Sequence, residues 1–233
     1  MPDLLQIEAL DARYGDVQAL HGVSLDVAEG EVAAVIGANG AGKTTLMRSV
    51  AGLLRSRPDA IRFQGRPIGA LPPHEIARQG IALVPEGRLL FPSLTVEENL
   101  LIGGQAGRKG PWTLARVRRL FPVLEERRHH PSTALSGGQQ QMVAIGRALM
   151  ANPTLILMDE ISLGLAPVVI KQIYDALPGI TAEGLAAVIV EQDIAKALSV
   201  SSRLTCLSEG RVALQAPAAT ATREAISRAY FGV

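Results

Sequence analysis

Eight consecutive residues, Gly37-Ala38-Asn39-Gly40-Ala41-Gly42-Lys43-Thr44, fit the pattern G-x-x-x-x-G-K-[ST] without a mismatch. Each residue type has a physical task there. Glycines let the backbone turn tightly and approach phosphates with no Cβ in the way. Successive N–H groups and the positive end of a following helix then face the anion. Lys43 can reach β- and γ-phosphates as a point charge, and the Thr44 hydroxyl is placed to ligate Mg²⁺. Thr45 either bonds the α-phosphate or packs. The chemistry is the binding of a nucleoside triphosphate with magnesium.

Two further clusters extend it. The apolar run Leu155-Ile156-Leu157-Met158 ends in Asp159-Glu160, as the second acidic element of a phosphate-loop ATPase does. Asp159 would hold Mg²⁺ directly or through water, and Glu160 would polarise an attacking water as general base. Upstream, Leu135-Ser136-Gly137-Gly138-Gln139-Gln140-Gln141 precedes a helical pattern, Met142 to Met150. Ser136 suits the N-cap, and the glycines expose N–H groups at a positive helix end. Taken alone, that segment equally describes an ordinary capped helix.

The elements that must position these residues are legible as periodicity. Val32 to Ile36 reads as a buried strand before the phosphate loop, and Lys43 to Leu54 as a helix after it. Residues 4 to 30 alternate apolar and polar positions around Tyr14-Gly15-Asp16 and Ala28-Glu29-Gly30, as short antiparallel strands do. Ile61 to Ile68, with Gly65 and Pro67, predicts another short hairpin. Ile81 to Val84, Leu155 to Met158 and Ala187 to Val190 are strand candidates separated by helical stretches, which argues a parallel sheet buried on both faces. From Arg88 to Met150 the texture turns helical, with basic clusters at Arg116–Arg119 and Arg127–His130. The expected fold is α/β: a phosphate-loop ATPase core with a mostly parallel sheet, an N-terminal antiparallel β subdomain and an inserted helical subdomain. Residues 1–233 form a single domain, with 1–87 and 151–233 as the core and 88–150 as the insertion. There are no internal repeats, and only the Ala-rich segment 216–221 approaches low complexity.

Composition narrows the partners. A chain of 233 residues can bury a substantial core. Its net charge of +1, from 23 basic and 22 acidic residues, offers no electrostatic footprint for nucleic acid. Scarce aromatics also weaken base stacking. The single cysteine, Cys206, excludes an internal disulfide framework and sits in an apolar context that predicts a buried thiol. Asp3 and Glu8 interrupt the N-terminal stretch where a signal peptide would be apolar. The longest apolar runs are strand-sized, short of the ~18–20 residues of a membrane-crossing helix. The expectation is a soluble, cytosolic protein that reaches a membrane only by docking. His129 and His130 lie in a charged run and are expected to be solvated.

In their order and spacing these motifs resemble the ATP-binding subunits of ABC transporters, over essentially all 233 residues. Val84-Pro85-Glu86-Gly87-Arg88, then Phe91-Pro92-Ser93-Leu94-Thr95-Val96-Glu97-Glu98-Asn99-Leu100, is similar to the smaller ATPase subunit of branched-chain amino acid importers. So are Ser162-Leu163-Gly164-Leu165-Ala166-Pro167, Val190-Glu191-Gln192 and the ending Ala229-Tyr230-Phe231-Gly232. The resemblance implies an ATPase with ATP and Mg²⁺ as ligands, energising uptake of branched-chain or other hydrophobic amino acids. It implies separate permease subunits in the membrane, an extracytoplasmic solute-binding protein, and a place on the inner face of the cell membrane, with no nucleic acid. It makes Tyr14 the platform for adenine. It also pairs two ATPase subunits head to tail, self-paired or with a larger sister, so that Ser136-Gly137-Gly138 of one closes on the γ-phosphate held by the other.

Four positions depart from family patterns. Most members carry Gln where Glu86 stands; the amide senses Mg²⁺ and the attacking water, whereas a carboxylate near the γ-phosphate is repelled unless Mg²⁺ bridges it or it is protonated. Gln192 replaces a histidine that contacts the γ-phosphate; an amide donates that hydrogen bond but cannot become cationic. Both changes look like the importer subfamily. Ile161 stands where Pro usually follows the catalytic Glu, and its freer backbone is expected to loosen how Glu160 is aimed. Gln139 in place of Glu is expected to be mild. Leu89, Leu90 and Phe91 fit either a groove for a permease's cytoplasmic helix or the core of the helical insertion. Importers of urea, amides or aromatic acids use similar ATPases, and a weakly hydrolysing regulatory subunit would show the same departures. A related ATPase of DNA repair or the ribosome would carry a coiled-coil insertion or tandem units, and neither fits this length.

Overall fold

The computed structural model describes residues 3–182 and 184–231. Its first two strands, β1 (Asp3–Tyr14) and β2 (Val17–Ala28), are longer than expected, at 12 residues each. They form an antiparallel ribbon turned at Gly15, with register shifts near Ala9 and Leu10 that let so long a pair curl. Next come β3 (Val32–Ile36), then α1 (Lys43–Val50). The helix stops before the expected Leu54 because Gly52 takes a left-handed φ of 73°. Leu53 N donates to Arg48 O and Gly52 N to Ser49 O, a Schellman closure that satisfies the last carbonyls.

The expected hairpin is present as β4 (Ile61–Phe63) and β5 (Arg66–Pro67). After α2 (Pro73–Gln79) and β6 (Ile81–Val84) the chain turns helical. It forms α3 (Val96–Gly103), α4 (Leu114–Leu120), α5 (Val123–Glu126) and α6 (Gly137–Met150). The remainder alternates: β7 (Leu155–Asp159), α7 (Pro167–Thr181), β8 (Ala186–Glu191), α8 (Ile194–Val200), β9 (Arg203–Ser208), β10 (Arg211–Pro217) and α9 (Arg223–Phe231).

Two sheets result. One is antiparallel, in the order β2-β1-β4-β5; the other runs β10-β9-β3-β8-β7-β6 and is parallel except at the β10 edge. Strands β7 and β8 are buried along their whole length, as apolar runs in a two-sided parallel sheet must be. One apolar core lies between the two sheets and includes α1; a second joins the other face of the parallel sheet to α3–α7. A third, under α8 and α9, holds Cys206, whose thiol burial pushes up to about 11. Among the described residues no helix is long and apolar enough to cross a membrane. The subfamily-like ending runs past them at Gly232, which lies outside the described residues.

Candidate active site

Four strand ends meet at one edge. Ile36 of β3 is in register with Glu191 of β8, Val190 of β8 with Asp159 of β7, and Met158 of β7 with Val84 of β6. Gly37, Gln192, Glu160 and Glu86 therefore leave the sheet side by side. This is the carboxyl edge of parallel strands, where open α/β sheets bind ligands.

The phosphate loop owes its shape to backbone that only glycine adopts easily. Gly37 has φ +154° and lies so close to the Leu207 carbonyl that a Cβ would collide with it. Gly42, at φ +101°, would place a Cβ 2.6 Å from Leu20 Cδ2. Ala41 N donates to Ala38 O at 3.1 Å, and Gly210 N donates to Ala41 O at 3.1 Å, tying the loop to the β9–β10 turn. Lys43 is buried; its Nζ donates to the carbonyls of Gly37 (2.8 Å) and Ala38 (3.1 Å) and pairs with Glu160 Oε1 at 3.3 Å. Thr44 Oγ1 donates to Asp159 Oδ1 at 3.3 Å, and the carbonyl of buried Thr45 accepts from Ser49 Oγ.

The acidic pair is split by environment. Asp159 is only 2% exposed, and burial above all, with the nearby Glu160 and Glu86 charges, lifts its carboxyl to about 6 against the pull of the Thr44 hydroxyl and Lys43. Glu160 sits past the strand with φ +47°, its N–H donating to Val190 O, and its Oε2 accepts from Gln192 Nε2 at 2.7 Å. Ile161, expected to loosen Glu160, has its side chain buried in the core. Asn39, Gly40, Gly42, Lys43, Thr44, Thr45, Glu86, Glu160 and Gln192 line one cavity of about 390 Å³, together with Ala19 and Leu163. Leu163 belonged to a recognised string, whereas nothing near Ala19 in sequence marked it.

Other expected residues lie apart. Tyr14 is half-exposed, within 3.5 Å of Arg48 Nη1, and lines a neighbouring cavity of about 350 Å³ that shares Thr44 and Glu86 with the first. Ser136, Gly137 and Gly138 line neither cavity. Ser136 caps α6 in a reciprocal box with Gln139, whose amide oxygen accepts from Ser136 N at 3.0 Å as a carboxylate would. A Cβ on Gly138 would collide with Val169. The apolar trio divides: Leu89 and Phe91 are exposed and Leu90 packs into the core. His129 and His130 are exposed, hydrogen-bonded to Arg128 and Arg127.

A glycine cradle, a buried lysine and a hydroxyl suit a triphosphate, and the hard oxygen donors Thr44, Asp159 and Glu86 suit Mg²⁺. The profile of the ABC transporter family matches residues 20–162. The chain is 43% identical over 232 residues to the high-affinity branched-chain amino acid transport ATP-binding protein BraG of Pseudomonas aeruginosa, covering 98% of this chain and 100% of that one. It is 32% identical to a probable branched-chain amino acid transport ATP-binding protein, LivF, of Archaeoglobus fulgidus, over 92% of each. Its fold is similar to that of an ATP-binding cassette solved as a dimer in a post-hydrolysis state with ADP and phosphate. There the TM-score is 0.82 at 25% identity, over 92% of this chain and 98% of that one.

Proposed function

This chain belongs to the ATP-binding subunits of ABC transporters, and from that premise we propose that it is the ATP-hydrolysing motor of a branched-chain amino acid importer. The carrying observation is the convergence of a glycine-built phosphate loop, buried Lys43 and Glu160 on one cavity, with Asp159 bonded to Thr44 and lining the adjoining one. The backbone N–H groups of Gly37 to Gly42 and the Lys43 ammonium bind the phosphates. Thr44, Asp159 and Glu86 would hold Mg²⁺, which would neutralise phosphate charge. Glu160 takes the proton of the attacking water, and Gln192 orients it by an amide hydrogen bond. Tyr14 supports the adenine.

Family membership supports our reading of the rest of the machine. A second ATPase subunit docks head to tail, so that each Ser136-Gly137-Gly138 helix start closes on the other's γ-phosphate. Exposed Leu89 and Phe91 offer an apolar landing for a permease helix, which supports a position on the inner membrane face. A solute-binding protein outside the membrane completes the system and selects the solute.

Glu160→Gln tests the assignment of the base. ATP affinity should stay within about threefold and turnover should fall at least ~100-fold, with ATP now trapping a dimer on a sizing column. Phosphate release at the parental rate would refute it.

A further inference from the structure

Strand β8 reads Ala-Ala-Val-Ile-Val until its last residue, Glu191, which is 2% exposed. A carboxylate buried at the end of an apolar strand costs stability unless its oxygens are satisfied, and an apolar side chain would fold more cheaply. Both oxygens are taken by hydroxyls. Ser162 Oγ donates to Oε2 at 2.7 Å, and Tyr174 OH donates to Oε1 at 2.5 Å. Burial raises the Glu191 pKa, and the two hydroxyl bonds and the more distant Lys196 charge oppose that rise.

The partners are placed with consequence. Ser162 lies two residues beyond Glu160, and Gln192 directly follows Glu191. Gln192 Nε2 in turn donates to Glu160 Oε2 at 2.7 Å. The path Glu160–Ile161–Ser162, across to Glu191, on to Gln192 and back to Glu160 is a closed ring of two short chain segments and two hydrogen bonds. Leu163, next along the ring's loop, lines the phosphate cavity. Tyr174 ties the ring to α7, whose neighbouring Ile173 and Leu177 are embedded in the core.

We propose that Glu191 is a positioning residue: its buried carboxylate clamps the loop after Glu160 to the strand end carrying Gln192, and so sets how that pair meets the attacking water. The inference rests on the ATPase reading above. The Glu191 carboxylate itself bonds only to Ser162 and Tyr174, not to the phosphate loop or the metal donors, so the defect is expected in the chemical step rather than in ATP binding. Misplacing a reacting group by about 1 Å can cost ~100-fold in rate while ground-state binding is unaffected.

The test uses the full chain and three variants, with steady-state ATPase kinetics, equilibrium ATP binding and melting midpoints. Ser162→Ala should lower kcat about tenfold and Tyr174→Phe about threefold, with KM and ATP affinity within about twofold of the parent. Ser162→Thr keeps the hydroxyl and should recover to within about threefold of the parental kcat. Unchanged kcat in Ser162→Ala, a loss shared equally by KM, or failure of Ser162→Thr to recover would overturn the clamp. A parent that turns over beside an unimpaired Ser162→Ala overturns this inference alone; a parent without turnover overturns the ATPase reading with it.

Discussion

The loop from Gly37 to Thr44 and the loop from Glu86 to Phe91 face the same cavity but are held by different means. The first is braced by backbone: Gly37 against the Leu207 carbonyl, Ala41 bonded to Gly210, and Lys43 folded onto its own loop's carbonyls. The second contains two successive non-glycine residues in left-handed backbone, Arg88 at φ 67° and Leu89 at φ 45°, which together store about 2 kcal/mol. Side chains of α6 hold it there. Arg147 donates to Leu89 O at 2.8 Å and Arg88 O at 3.0 Å, and Arg88 reaches Gln140 Oε1 at 3.4 Å. Asn99 secures its far end by accepting from Phe91 N at 2.9 Å. One wall is a rigid mould for an anion. The other is strained, half-exposed and fastened at Arg88 and Leu89 to the same helix that Ser136 caps.

The largest effect should come from the rigid wall. Gly37→Ala forces a Cβ into the Leu207 carbonyl and is expected to cost more than about 3 kcal/mol and abolish ATP binding. Calorimetric melting with nucleotide titration measures both. Normal ATP affinity in this variant would end the contrast between the walls.

Arg147→Ala attacks the other wall. Losing two charge-assisted hydrogen bonds should destabilise the chain by about 3 kcal/mol. Hydrogen exchange should rise over residues 86–91 and stay unchanged over 37–44. Equal exchange in both segments would mean that the walls move as one.

The smallest effect concerns Asp159, where charge rather than shape is at stake. Its folded carboxyl titrates near 6 against an ordinary 3.8, so the folded state binds the proton more tightly than the unfolded one. The contribution of Asp159 to the stability of the ligand-free protein should therefore fall as pH rises from about 4 to 6 and then level off. Asp159→Asn removes that loss and should be more stable by about 2 kcal/mol at pH 7–8, with the difference vanishing below pH 4. Urea melts across that range decide it; a pH-independent difference would refute the cause given. Mg²⁺-dependent turnover should be lost in the same variant.

Much of this site was legible because its chemistry is local. A phosphate loop needs glycines at fixed offsets, so Gly37, Gly40 and Gly42 announce it. The apolar runs at Val32, Ile81, Leu155 and Ala187 announce strands because both faces of each are buried. Strands β9 and β10 were not foreseen. The apolar stretch of β9 is short, and β10 is a half-exposed edge whose residues alternate weakly. The end of α1 was misjudged because Gly52 acts through hydrogen bonds back to Ser49 and Arg48 rather than through any break in periodicity.

By itself the amino-acid order pointed to a triphosphate-binding loop and to the proposed magnesium ligand and general base, since each of those tasks is written within a few neighbouring residues. Only the tertiary structure decided which groups share the cavity. The sheet order β3-β8-β7-β6 is not the chain order, and it alone sets Gly37, Gln192, Glu160 and Glu86 in a row. The ring through Glu191 and the grip of Arg147 on Arg88 and Leu89 belong to the same class. They join segments far apart in the chain, and strand order and burial, not local spacing, bring such segments together.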